Sequence, residues 1–436
     1  MLLNSTLIGH SIPMNTEKLD NSTGGCNRTC FTSYQRLLNF LLLDYDNRMR
    51  PVKNYSNPIN VTLRMNLYQI LDVIEHSQTV VLHLWLTQMW KDEFLVWTPS
   101  NFNGIKHLAI SYDHLWLPDT FLFNSLMMSR ANSEHWINVI VNSSGNMRFM
   151  YPAIFTVSCK LNIRFFPFDR QTCILALGSG TYGMKEVNYF AEGSHVRMES
   201  FVSNGEWTVI SFRLSRFQTC QNCTYPLVQL HARLVIQRKS LYYTVNLIIP
   251  TIIMCQVAIV GFFTPASAKG ARREKTVMGV TTLLAMAVLL FSMTGTMPTT
   301  SEYIPLIEWF LLSKIVLISV GALTTNLMIA LHRRAFHRKP VPARLKRILA
   351  GKFPTYLGLS PSLSLATVWK RETIATPGFF LHFYQEVPKN FEEAHRINYL
   401  EHEYLADVLD RFFLLTFSFL LILICSTFFL VGFYCI

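Results

Sequence analysis

The hydrophobic pattern changes character once along the chain. Through residues 1–238, apolar side chains come in short stretches that alternate with polar ones, as at 80–85, 136–141 and 230–237, and Asn-Pro, Ser-Gly, Asn-Gly and Pro-Phe turns break them. A period of two marks half-buried strands, and closely spaced turns join them, so this half predicts a β-sandwich. No apolar run there approaches the roughly 20 residues that a bilayer core requires. Beyond residue 238, apolar runs of that length follow at about 241–263, 276–297, 304–331 and 411–434. Each predicts a membrane-spanning helix. Between the last two, 335–385 is basic and then contains Pro and Ser without helical period, whereas Ile397, Leu400, Tyr404 and Val408 give 391–410 an amphipathic stripe. His395 and His402 are expected to be solvated there.

Composition sharpens this division. Half of the chain is hydrophobic and only 15% is charged, which is too apolar for an ordinary solvated surface. Arg333, Arg334, Arg338, Lys339, Arg344, Lys346, Arg347 and Lys352 follow the third run with no acid among them, and Lys269, Arg272, Arg273 and Lys275 lie between the first two. Positive loops remain cytoplasmic. The amino terminus, the 298–303 link and the carboxyl terminus are then expected outside, and the net charge of +12 reflects topology rather than nucleic-acid binding. Glycosylation sequons agree, since Asn4, Asn21, Asn27, Asn54, Asn60, Asn142 and Asn222 each begin Asn-x-Ser/Thr and none begins after residue 224. The first residues, MLLNSTLIGHSIPM, lack both the basic start and the apolar core of a signal peptide, so the expectation is a mature or shortened form. No nucleophile–base set, phosphate loop or metal motif stands at meaningful spacing. An enzyme is excluded, and neither a cofactor nor a metal is expected.

Trp90, Trp97, Trp116, Trp136 and Trp207 belong by default to the sandwich core. In an oxidising compartment Cys159 and Cys173 read as a disulfide closing a short loop, which by chain entropy stabilises by roughly 3 kcal/mol. Within that loop, Phe166-Pro167-Phe168-Asp169 presents two rings and a carboxylate from a stapled turn, a tip suited to press on a membrane domain. By itself the loop fits equally a disulfide that only stabilises a small domain.

Cys159 and Cys173 enclosing Phe-Pro-Phe-Asp, with Trp116-Leu117-Pro118-Asp119 upstream, resemble the signature of Cys-loop receptors of the nicotinic and serotonin branch. The resemblance continues through Asn204-Gly205-Glu206-Trp207, Gln237-Arg238, Leu241-Tyr242-Tyr243-Thr244-Val245-Asn246 and Val408-Leu409-Asp410-Arg411-Phe412, covering about 30–436. It implies an extracellular ligand-binding β-sandwich over 1–238, followed by a four-helix transmembrane bundle. The first three helices fall in 239–331, a cytoplasmic segment in 332–410 with its helix at 391–410, and the last helix in 411–436. Such chains assemble as pentamers around a pore in the plasma membrane, with both termini extracellular.

The second run carries Thr276, Thr281, Thr282, Ser292, Thr294 and Thr296 on an otherwise aliphatic helix, a polarity that in lipid suits a water-filled cavity. A helix packed through small residues, its Thr hydroxyls bonded to its own backbone, is the alternative. Steps of three or four from Glu274 give Val277, Thr281, Leu284, Val288 and Phe291 or Ser292, which five copies would stack as rings, with Leu284 and Val288 as an apolar gate. Glu274 beside Lys275 resembles the cation-selective pattern. Arg272 and Arg273 before it and Gly295 near the outer end depart from that pattern, and 277–282 resembles anion-selective relatives, but the Pro-Ala-Arg entry typical of those is absent before Lys275.

For the agonist, the resemblance implies an aromatic box between subunits that holds an amine by cation–π attraction. Trp85 matches the ring from the complementary face, Phe123 replaces the first principal-face tyrosine, and Phe217 and Tyr225 flank Cys220 and Cys223. That Cys-x2-Cys reads as a loop-tip disulfide or as half of a zinc site. Gly178-Ser179-Gly180-Thr181-Tyr182 departs from the family's Gly-Ser-Trp-Thr-Tyr, so the central ring is missing and Tyr182 or another ligand compensates. Coupling is expected from Phe168, Asp169 and Arg238 onto the link holding Pro298 and Glu302. The expected function is a subunit of a neurotransmitter-type, cation-selective ligand-gated channel, a homo- or hetero-pentamer partnered by a small-molecule agonist, permeant ions and membrane lipid. An accessory subunit without its own agonist site, or an anion channel, is the alternative.

Overall fold

The computed structural model describes residues 32–130, 137–219, 226–264, 271–298, 302–336, 349, 353–360 and 391–434. The first element is helix α1 (Ser33–Leu42), opened by a capping box in which Thr32 and Gln35 satisfy each other's backbone donors. Eleven strands follow: β1 (Ile59–Ile74), β2 (Thr79–Lys91), β3 (His107–Ser111), β4 (Thr120–Leu122), β5 (Ser125–Arg130), β6 (Asn138–Asn142), β7 (Asn146–Ser158), β8 (Arg170–Ser179), β9 (Val187–Ala191), β10 (Trp207–Gln218) and β11 (Val228–Arg238). One sheet runs β3-β6-β7-β2-β1-β9, with β5 also on β7, and the other runs β10-β11-β8-β4.

Alternation decides which side of each strand is core. In β11, Val228, Leu230, Ala232, Leu234 and Ile236 are buried, while Gln229, His231 and Arg233 face outward; β7 alternates in the same way. The buried rows of both sheets meet in one apolar cluster that includes Trp90, Trp97, Trp116 and Trp207. Trp136 lies outside the described residues, as do Cys220, Cys223 and Tyr225 and the sequons at Asn4, Asn21, Asn27 and Asn222. Asn54 and Asn60 are exposed and Asn142 is half-buried at the end of β6.

The helical half comprises α2 (Leu241–Phe263), α3 (Ala271–Thr296), α4 (Leu306–Phe336), the single turn α5 (Phe353–Tyr356) and α6 (Phe391–Tyr434). Four of them are long and apolar enough to cross a membrane. A wider turn at Thr244–Ile248 interrupts the regular winding of α2. Nothing between 391 and 434 breaks the helix, so the amphipathic stretch and the last span form one 44-residue rod. Its lower part packs Tyr404, Leu405 and Val408 on Leu349. His402 corrects the sequence expectation: it is buried, with Nδ1 2.9 Å from the Asn398 carbonyl, because this part of α6 packs against Leu349 instead of standing in solvent.

Inside the bundle, α2, α4 and α6 pack Cys255, Ala258, Ile259, Phe262, Phe263, Ile318, Phe417 and Leu421 together. Lys314 of α4 is fully buried there, its Nζ 2.7 Å from Thr251 Oγ1 of α2 and 3.6 Å from the centre of the Phe310 ring. By contrast only 11% of the most apolar stretch of α3 is buried, against 39% for those of α2 and α4. It stands at the margin of the bundle.

The sandwich rests on the helices through the loop closed by the Cys159–Cys173 disulfide. Ile163 and Phe166 from this loop are buried among Ile248, Met297, Ile307, Phe310 and Phe428 at the helix tops. Replacing Cys159 and Cys173 by serine should cost about 3 kcal/mol, since the cross-link removes entropy from the unfolded chain. Thermal unfolding of the detergent-solubilised chain, with and without reductant, checks this; equal midpoints for the two chains would show that packing alone holds the loop.

Candidate functional site

Three regions of the fold carry side chains suited to a receptor. The first is the outward face of the four-stranded sheet. Register aligns Phe217, Gln229, Gly178 and Phe121 in one row across β10, β11, β8 and β4, and residues so paired project to the same face. One row along, His231 pairs with Ala176, and the Phe123 N–H donates to the Ala176 carbonyl at 2.9 Å. The outer strands therefore hold aromatic rings, Gly178 and Ala176 of β8 form a low floor, and His231 of β11 stands beside Phe217. Phe121 and Phe123 meet edge to face with centroids 4.8 Å apart. On the opposite side Phe217 stacks on His231 at 4.5 Å. At about 4.8 Å per strand, the two walls arise from backbones about 14 Å apart.

Phe121, Phe123 and Phe217 are 43%, 36% and 47% exposed, so these rings do not serve the core. Partial burial holds the His231 imidazole below its ordinary pKa. Just past β8, Ser179 Oγ accepts from the Tyr182 N–H at 2.7 Å and Asp119 Oδ2 accepts from the Thr181 N–H at 2.9 Å. The Tyr182 ring turns to Trp116, 6.5 Å away. Asp119 Oδ1 is buried with no hydrogen-bond donor among the described residues.

Trp85 lies elsewhere. It is half-buried on β2 of the other sheet, between Asn66 of β1 and Pro152 of β7. Within one chain, Phe123, Tyr182 and Phe217 thus gather on one sheet and Trp85 faces away on the other. Phe121 and His231 complete the walls and are absent from the sequence reading. The signal for Phe121 was its position two residues before Phe123, the strand period that puts both on one face.

The second region is the junction. Arg238, the last residue of β11, has no exposed side-chain surface and pairs with Asp169 at 2.9 Å, Glu75 at 2.6 Å and Glu206. Its guanidinium lies 4.2 Å from the Trp207 ring and 4.7 Å from the Phe166 ring. Burial disfavours that charge, but the Asp169 and Glu75 carboxylates outweigh it and raise the pKa above the usual arginine range. Phe168 packs 5.7 Å from Phe428. Lys160 pairs with Glu302 at 2.9 Å, the Tyr303 hydroxyl donates to the Leu161 carbonyl at 3.0 Å, and Pro298 is buried.

The third region is α3. Glu274, Val277, Thr281, Leu284, Val288, Phe291 and Ser292 are all exposed, whereas Gly279 and Met286 pack inward. Among the described residues one helical face is therefore left open. The Thr281, Thr282, Thr294 and Thr296 hydroxyls each donate to a carbonyl of their own helix, which lowers the polarity of the face without closing it.

A family model described as the neurotransmitter-gated ion-channel ligand binding domain matches residues 34–240, and one described as the neurotransmitter-gated ion-channel transmembrane region matches 247–376. The Caenorhabditis elegans acetylcholine receptor subunit alpha-type deg-3 is 44% identical over 336 residues, 74% of this chain and 59% of that one. The betaine receptor acr-23 of the same worm is 36% identical over 67% of this chain and 57% of its own length. The chicken (Gallus gallus) neuronal acetylcholine receptor subunit beta-4 is 32% identical over 76% of this chain and 69% of that one. The chain thus spans less than three fifths of the length of the two worm relatives.

Removing Arg238 would leave the buried Asp169 carboxylate without its cation and close to those of Glu75 and Glu206. Arg238→Met is expected to destabilise by about 3–5 kcal/mol, whereas Glu75→Gln, which removes one of three partners, should cost clearly less. Thermal unfolding of both variants tests the order; equal losses would show that the guanidinium does not organise the cluster.

Proposed function

Because the chain belongs to the neurotransmitter-gated ion channels, the Cys-loop receptor family, we propose that it is a subunit of a pentameric, cation-selective channel opened by an extracellular agonist. The observation that carries this is the division of aromatic side chains between the two sheets. Phe123 and Phe217 flank an open floor on one sheet, and Trp85 faces outward from the other, so only a neighbouring subunit brings them together. Acetylcholine and betaine, named in relatives of this chain, both carry a trimethylammonium group, which aromatic faces bind by cation–π attraction.

Gating follows from the junction. An agonist opens the pore only by binding the open arrangement more tightly than the resting one. A shift of β10 and β11 toward the ligand moves Arg238 at the end of β11, and with it Asp169 and the disulfide-closed loop. That loop bears on the helix tops through Phe166 and Phe168 and on the link to α4 through Lys160 and Leu161. The adjacent end of α3 then tilts. In a ring of five, the exposed face of α3 lines the pore, Leu284 and Val288 form a constriction that blocks ions by losing water, and Glu274 concentrates cations at the cytoplasmic end. In this reading 1–238 and both termini are extracellular, 332–410 is cytoplasmic, and the protein resides in the plasma membrane. Gly180, which removes a ring from the principal face, supports the second reading, an accessory subunit gated through its partners.

Whole-cell recording from cells expressing the chain, across a panel of amines, tests both. A current whose reversal potential follows sodium is expected, and Glu274→Gln should shift that potential toward chloride. A chloride-following current in the unaltered chain would refute cation selectivity, and surface protein without current would favour the accessory subunit.

A further inference from the structure

Gly178 and Gly180 occur on the same strand end, and the space above each is spoken for differently. A Cβ at Gly178 would stand 2.7 Å from the Val228 carbonyl oxygen and 3.3 Å from the Phe123 ring, so the backbone and that ring exclude any side chain. At Gly180 no backbone crowding exists and the residue is not in a left-handed conformation. Among the described residues a Cβ there would meet the Phe121 ring, at 3.5 and 3.9 Å, an ordinary van der Waals contact. A larger side chain at 180 would therefore lie against Phe121. The two positions are neighbours on this face: a ring can rise from 180 or stand in from 121, and this chain carries its ring at 121.

The ring so placed is 43% exposed, edge-to-face with Phe123, and opposite Phe217 across the Gly178–Gln229 row. Asp119 keeps one buried carboxylate oxygen without a hydrogen-bond donor among the described residues, while its other oxygen accepts from the N–H of Thr181, the residue after Gly180. A carboxylate bonded to the backbone next to Gly180 and π faces at either side suit a cation and not an anion. We propose that Phe121 supplies the central aromatic wall of the agonist site, standing in the space Gly180 leaves open, and that the occupant is a small quaternary or tertiary ammonium. This rests on the reading of this sheet face as the agonist surface.

The test measures binding of choline, and of its neutral carbon isostere dimethylbutanol, to the full chain on intact cells. Phe121→Leu should weaken choline binding roughly tenfold and leave the isostere unchanged, and Phe121→Trp should restore choline. Phe121→Ala alone should weaken choline binding, and adding Gly180→Trp, which raises a ring from the neighbouring position, should recover it. Where Phe121→Leu fails to reach the surface, that paired exchange decides, recovery supporting the assignment and continued loss overturning it. Choline and isostere weakened equally would show an apolar contact rather than a cation site and overturn it. Phe123→Leu and Phe217→Leu separate the two levels: loss in these with Phe121→Leu unaffected overturns the role of Phe121 alone. No effect of any of the three, or no choline binding by the unaltered chain, overturns the agonist surface and this inference together.

Discussion

The guanidinium of Arg238 is the constraint around which the lower sandwich is organised. A fully buried charge is tolerable only where partners surround it, and here the partners come from separate parts of the chain: Glu75 after β1, Asp169 in the disulfide-closed loop and Glu206 before β10. Their convergence fixes three connections that would otherwise move independently. Trp207 and Phe166 cover the guanidinium with their rings, so its surroundings are stiff as well as charged. Three residues later α2 begins, and the direction in which the chain enters the membrane is inherited from this cluster.

The upper half of the same sheet solves an opposite problem. Instead of burying a charge, it leaves aromatic surface uncovered, and register is what makes the surface usable. Because Phe217 and Phe121 share a row with Gly178 between them, the rings face each other over a low floor rather than packing into one patch. A slip of one residue in β11 would turn His231 and Gln229 into the core. The buried row from Val228 to Ile236 forbids that slip, so core packing on the inner face sets the geometry of the outer one.

Much of this was legible in the chain. The membrane helices follow from run length alone, and the closed loop from two cysteines and the Phe-Pro-Phe-Asp between them. Arg238 and Asp169 were singled out by motif and Glu206 stood in a quoted motif without a role, yet Glu75 was not found, because an ion pair between residues 163 positions apart leaves no local pattern. Phe121 escaped for a related reason. Its partner is Gly180, and what joins them is space, which a sequence does not display. His402 was read as solvated; Leu349, on which this part of α6 packs, lies some fifty residues upstream, beyond the reach of helical periodicity.

Lys314 adds a demand on biosynthesis. An isolated α4 entering the bilayer would expose that amine to hydrocarbon, at a cost of about 2.5–3.5 kcal/mol on insertion scales. Its oxygen partner belongs to α2, the helix synthesised first. The third span is therefore best released into lipid while the first is still at hand to receive it, and the helix order along the chain doubles as an assembly order.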